Sequence, residues 1–140
     1  MKYSEYLERL RRAAHGFEVT EYAVVEENGQ PYPLLRLTLP GKGPCLISAG
    51  FHGEEPAGPL SVLEGLAEVA AHSRAQGVGL IVYPCVNPSG FEGGHRYNAS
   101  GEQPNNDFIR YEVTPGQVVE EVDVGQAIHR WFLYQGGPKE

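Results

Sequence analysis

The sequence predicts an α/β fold: a mixed sheet with parallel core strands and an N-terminal antiparallel hairpin, with helices on both faces. Three observations lead there. Two apolar runs, Cys45–Ala49 and Val78–Tyr83, do not alternate and read as strands buried on both faces. A long helical stretch lies between them, and strand, helix, strand at that spacing is a βαβ unit, parallel and right-handed. Ahead of them, Asn28-Gly29 separates two strand-like runs, which signals a hairpin.

The elements follow in order. Ser4 can cap a first helix to about Ala14, with Tyr6, Leu7, Leu10 and Ala14 on one face. Gly16 stops it. Phe17 to Glu26 is rich in β-branched and aromatic residues, and Pro33 to Leu39 is the return strand. Leu35, Leu37 and Leu39 share one of its faces, Arg36 and Thr38 the other. Gly41-Lys42-Gly43-Pro44 turns the chain into the Cys45–Ala49 strand. The next helix has Pro56 near its first turn and an apolar stripe of Leu60, Leu63, Ala67 and Ala70, widened by Val62, Leu66 and Val69. His72 and Arg74 fall at its end, where positive charge suits the helix dipole, and Gly77 closes it. Asn87 to Asp107 reads as a loop holding Gly90, Gly93, Gly94 and Gly101. A loop of that length in a compact domain is usually functional or disordered. Gln117 to Leu133 reads as a final helix.

Length and composition bound the rest. The chain has 140 residues, 41% of them hydrophobic, the size of one domain with one core. Eighteen acids against eleven Lys plus Arg give a net charge of -7. No basic cluster exists, so nucleic acid is not expected as a partner. There is neither a long apolar run nor a signal-peptide pattern, so no membrane partner is expected and the sequence is read as soluble and cytoplasmic. Cys45 and Cys85 are read as two buried thiols.

Chemistry concentrates at the end of the first parallel strand. His52 and Glu55 stand three apart, so an imidazole nitrogen and a carboxylate oxygen can point the same way. Both can then reach one ion at about 2.0–2.2 Å, which suits Zn²⁺. By spacing alone the pair reads first as a solvated His beside acids at a helix N-terminus, where acids are favoured anyway, and its place at a strand end brings the metal reading level with that one. The loop after the second parallel strand lies at the same sheet edge. It carries Asn87-Pro88-Ser89-Gly90-Phe91, then Arg96, then Gly101-Glu102-Gln103-Pro104-Asn105-Asn106-Asp107-Phe108.

Taken together, His52-Gly53-Glu54-Glu55 and these motifs resemble the zinc carboxypeptidase family and its succinylglutamate desuccinylase and aspartoacylase relatives. The shared pattern is H-x-x-E after a buried strand, N-P-D-G-[FY] after the next, an Arg, and then D-x-N-R-[ND]-F. It spans about Leu46 to Phe108, and it implies that residues 1–140 match the N-terminal half of such a catalytic domain. The resemblance implies that His52 and Glu55 are zinc ligands. Arg96 would be catalytic, polarising the scissile carbonyl and supporting the oxyanion, and Arg96 and Asn105 would bind substrate. A guanidinium in that role stabilises charge that appears only in the transition state. The implied activity is a zinc-dependent hydrolase cleaving an amide bond near a free carboxylate of a peptide or N-acyl amino acid, through a metal-bound water.

Departures from the family pattern shape the expectation. Ser89 stands in place of the second motif's Asp. Gln103 stands where an Asp supports the first ligand, and a neutral amide orients an imidazole less strongly. Asn106 replaces the Arg that clamps the substrate carboxylate bidentately. The family's third ligand His and general-base Glu have no evident counterpart. His129 and His95 are the candidate ligands that remain, and Glu54 is the candidate base; His15 and His72 read as helix-end residues. Four strands would form only half of the family's sheet and leave an open edge. That implies self-association or a missing C-terminal half. The competing reading is a truncated or catalytically inert carboxypeptidase-like domain, acting by metal, ligand or partner binding.

Overall fold

A computed structural model describes residues 1–101, together with the backbone of Arg110–Thr114 and Gln117–Glu121. The contacts divide the chain into two compact units, residues 1–101 and residues 102–140.

In the first unit, Tyr3–Ala13 (α1) precedes the strands Glu18–Glu27 (β1), Gln30–Leu39 (β2) and Lys42–Ser48 (β3). Ala57–Gln76 (α2), Val78–Tyr83 (β4) and Pro88–Gly93 (α3) follow. The sheet order is β1-β2-β4-β3. β1 and β2 form the hairpin. Asn28 and Gly29 turn it with φ of 50° and 71°, the left-handed pair that a two-residue hairpin loop requires. β4 lies between the hairpin and β3, antiparallel to β2 and parallel to β3. The mixed sheet read from the sequence is the one that forms.

The core sits on one side of that sheet. Leu35, Leu37 and Leu39 of β2 and Leu80 and Val82 of β4 are buried there. They pack with Tyr6, Leu7 and Leu10 of α1, Leu63, Leu66 and Ala70 of α2, and Phe91 of α3. Alternation sends Ile81 and Tyr83 to the opposite face, where both are half-buried. Tyr83 there meets the ring of the exposed Tyr22 edge-on at 5.4 Å.

Several expectations are corrected. β3 is not buried on both faces: Ile47 is half-buried, the rest of the strand is exposed, and Leu46 is 50% exposed. The reason is position, because β3 is an edge strand, paired only with β4 among the described residues. Cys45 is therefore exposed, whereas Cys85 is buried, and burial pushes its thiol up to about 12. β4 is buried on one face only. The buried stripe of α2 is Pro59, Leu63, Leu66, Ala70 and Ser73, so Ala67 and Val69 lie outside it. Ser4 lies inside α1 and does not cap it. The first turn is served instead by Glu92 of α3, whose carboxylate accepts from the Tyr3 backbone N–H at 2.9 Å.

The stretch read as one loop opens with α3. Asn87 caps that helix and Pro88 begins it, a pairing of residue types that favours a helix start. The expected final helix begins wrongly. Gln117–Glu121 is a strand (β6), antiparallel to Arg110–Thr114 (β5), with Arg110 opposite Glu121 and Thr114 opposite Gln117. Val113, Val118 and Val119 favour strand, and Pro115-Gly116 between them is turn chemistry. The remainder of that expected helix lies outside the described residues. Among the described residues no helix is long and apolar enough to cross a membrane.

Candidate functional site

Because β3 and β4 are parallel, both deliver their C-terminal ends to the same edge of the sheet. The backbones stay paired beyond the strands. Ala49 N–H donates to the Tyr83 carbonyl, Val86 N–H to that of Ala49, and Asn87 N–H to that of Gly50, each at 3.0 Å. That ladder fixes where the next residues on each chain begin.

Residues 51–55 form a turn, closed by the Glu55 N–H donating to the His52 carbonyl at 3.1 Å. The closure brings positions three apart onto one side. His52 Nδ1 lies 3.2 Å from Glu55 Oε1. The His52 side chain is largely buried, at 14% exposure, and that of Glu55 is open to solvent at 65%. Gly53 is what lets this turn sit so close. A Cβ there would overlap the backbone of Gly90, so only glycine allows the turn to lie directly on the first turn of α3.

Arg96 arrives from the segment after α3. Its Nη1 donates to Glu54 Oε1 at 3.0 Å and stands 4.0 Å from Glu55 Oε1. His52, Glu54, Glu55 and Arg96 therefore meet at one place, which is the juxtaposition the sequence led us to expect for His52, Glu55 and Arg96. Glu54, considered as a base, is the ion-pair partner of the guanidinium. Beside them opens a cleft of about 890 Å³, lined among others by Tyr32, Glu54, His95, Arg96 and Tyr97.

A metal at this site can be tested against the donors present. Two donors about 2.0–2.2 Å from one tetrahedral ion stand about 3.3–3.6 Å apart. The His52–Glu55 separation of 3.2 Å is close to that, and imidazole with carboxylate is a donor pair that zinc accepts. Among the described residues no group of three His, Cys, Asp or Glu side chains is placed to hold an ion, so His95 does not complete the set. His95 lines the cleft, its ring against Gly93. His15 and His72 are exposed. Asn105, Gln103, Asn106 and His129 lie outside the described residues.

Asn87 and Ser89, present in the second motif without an assigned role, and Glu27, which no motif contains, hold this arrangement together. Asn87 is 1% exposed and spends its side chain on both halves of the site. Ser89 Oγ and Glu27 Oε2 both accept from the Ala99 N–H, at 3.0 and 3.2 Å, and tie down the segment that carries Arg96. The Asn-Pro pair was the available signal for the first. Nothing local marks Glu27, which reaches the site only because the hairpin turn folds against it.

No family model matches the chain. A carboxypeptidase 2 of Trichophyton rubrum is 27% identical over 119 residues, covering 75% of this chain and 22% of that protein. A carboxypeptidase 2 of Trichophyton tonsurans is 35% identical over 69 residues, covering 46% of this chain and 13% of that protein. Among solved structures, a "putative metallopeptidase" of Shewanella amazonensis is 32% identical with a TM-score of 0.57, covering 95% of this chain and 50% of that one. A second, from Shewanella denitrificans, is 33% identical with a TM-score of 0.59, covering 76% of this chain and 39% of that one. The chain thus spans half or less of the length of each.

Proposed function

We propose that this chain, carboxypeptidase-like in sequence and metallopeptidase-like in fold over the part it spans, carries the metal-binding and oxyanion half of a zinc-dependent hydrolase. The reaction would be cleavage of an amide bond near a free carboxylate, in a short peptide or an N-acyl amino acid. One observation carries the reading: His52, Glu55 and Arg96 converge at the shared end of two parallel strands, with distances of 3.2 and 4.0 Å linking them.

In this reading His52 Nδ1 and the Glu55 carboxylate hold the zinc, which when bound would polarise the carbonyl and acidify a water. The Arg96 guanidinium presents a fixed positive charge to the carbonyl oxygen as negative charge builds on it. Glu54 aims that guanidinium and competes with the substrate for it. Tyr32 and Tyr97 give the neighbouring cleft an apolar wall for the acyl or peptide portion. Asn105 is assigned to the substrate carboxylate on the resemblance alone.

The test is metal content by mass spectrometry, followed by hydrolysis of a panel of N-acyl amino acids and short peptides. We expect one zinc per chain, lost in His52→Ala and in Glu55→Ala. Arg96→Ala should keep the zinc and lower kcat by about 10²–10³-fold. A chain that takes up no zinc from zinc-containing buffer would overturn the reading. The competing function, an inert domain acting by binding, is favoured by the absence of a third donor among the described residues. Stoichiometric zinc with no turnover of any panel member would select it.

A further inference from the structure

We propose that Asn87 is the positioning residue of the site, holding the His52–Glu55 turn and Arg96 in register through one carboxamide. The functional consequence rests on the hydrolase reading above; the geometry does not.

Three bonds define the role. The Asn87 Oδ1 accepts from the Gly90 N–H at 3.0 Å and so caps α3. The Nδ2 donates to the Phe51 carbonyl at 3.1 Å and to the Arg96 carbonyl at 3.3 Å. Phe51 is the residue before His52. One side chain thus bridges the backbone at both the imidazole and the guanidinium. The orientation of the amide is fixed by its partners, because Gly90 offers only a donor and the two carbonyls offer only acceptors. Asn87 is itself anchored, its own N–H donating to the Gly50 carbonyl at 3.0 Å. It is almost fully buried, so water does not substitute for a lost partner at no cost. The close stacking of Gly53 on Gly90, and of Gly90 on Asn87, leaves the turn no other place to rest. To the backbone ladder that starts both segments, the carboxamide adds a direct tie between the one that carries His52 and the one that carries Arg96.

The substitution Asn87→Asp separates the two jobs. It keeps the oxygen that caps α3 and replaces both donors with an oxygen facing two carbonyls. We expect the circular dichroism spectrum to be retained, while zinc affinity, read by competition with a chromophoric chelator, falls about 10–100-fold. The absorption bands of the cobalt-substituted protein should shift as well, which a merely structural cap would not cause. An Asn87→Asp protein that folds and binds zinc within about twofold of wild type would overturn the proposal.

Two further measurements keep it decidable. If Asn87→Asp does not fold, the wild-type carboxamide protons are followed by hydrogen exchange. Slow exchange supports the bridge, and exchange at the rate of a free amide overturns it. If the wild type binds no zinc, the hydrolase reading fails on its own. The positioning role is then read from the amide chemical shifts of residues 51–55 and of Arg96. Shifts of both groups in Asn87→Asp support it, and unchanged shifts overturn it.

Discussion

Gly53 shows how much a single residue decides here. Its missing Cβ is what allows the turn bearing His52 and Glu55 to rest on the backbone of Gly90. Gly53→Ala should lift that turn, separate His52 from Arg96, and destabilise the fold by about 1–3 kcal/mol, since the obstacle is backbone rather than a flexible side chain. Urea denaturation measures the cost; a change below about 0.5 kcal/mol would mean that the close contact is not tight. Glu54 is informative at the same scale. The resemblance left it as the stand-in for a missing base, but its carboxylate is 3.0 Å from Arg96, so its chemistry is set by a residue 42 positions away.

At the scale of elements, the two parallel strands have unequal standing. β4 is flanked on both sides by strands, and its Val82 is 0% exposed, while β3 lies at an edge with Leu46 half open to solvent. The consequence is a contrast in stability. Leu37→Ala, on the buried face of β2 opposite Val82, should cost about 2–5 kcal/mol. Leu46→Lys should stay within about 0.5 kcal/mol of wild type. Thermal or urea unfolding of the two variants checks this, and a large loss for Leu46→Lys would mean that β3 is covered. α3 makes the second point at this scale. Its six residues are too short to hold themselves together, yet they cap α1 through Glu92 and floor the site through Gly90.

For the first unit as a whole, the tie between α1 and α3 links stability to pH. The Tyr3 N–H donating to Glu92, helped by Lys2 at 3.0 Å, holds the Glu92 carboxyl below its ordinary value of 4.5. A carboxyl depressed on folding contributes stability that is fully present above 4.5. That contribution is lost as pH falls below 4.5 through the folded value. Glu92→Gln should therefore be less stable than wild type by about 0.3–1 kcal/mol at pH 7, as for an acid at a helix N-terminus. The gap should narrow as pH falls below 4.5 through the folded value. Equilibrium unfolding across an acid pH series measures it, and a gap that stays the same size throughout would rule out the carboxylate as its source.

By itself the sequence determined the hairpin, the βαβ unit and the residues worth watching. Asn28-Gly29 turns only one way, alternation in Leu35, Leu37 and Leu39 fixes a face, and H-x-x-E after an apolar run marks a strand end. These are local matters of backbone sterics and periodicity, and they can be read from neighbours in the chain. Tertiary structure alone decided that β3 is an edge, that Glu54 pairs with Arg96, and that Asn87 joins the two halves of the site. Strand order, burial and a bridging amide depend on what lies across the fold, and no stretch of sequence states its own distant neighbours. The paired strands Arg110–Thr114 and Gln117–Glu121 are the intermediate case: Val113, Val118 and Val119 favour strand, while Val118 and Val122 also fit a helical stripe, and only the pairing decides between them.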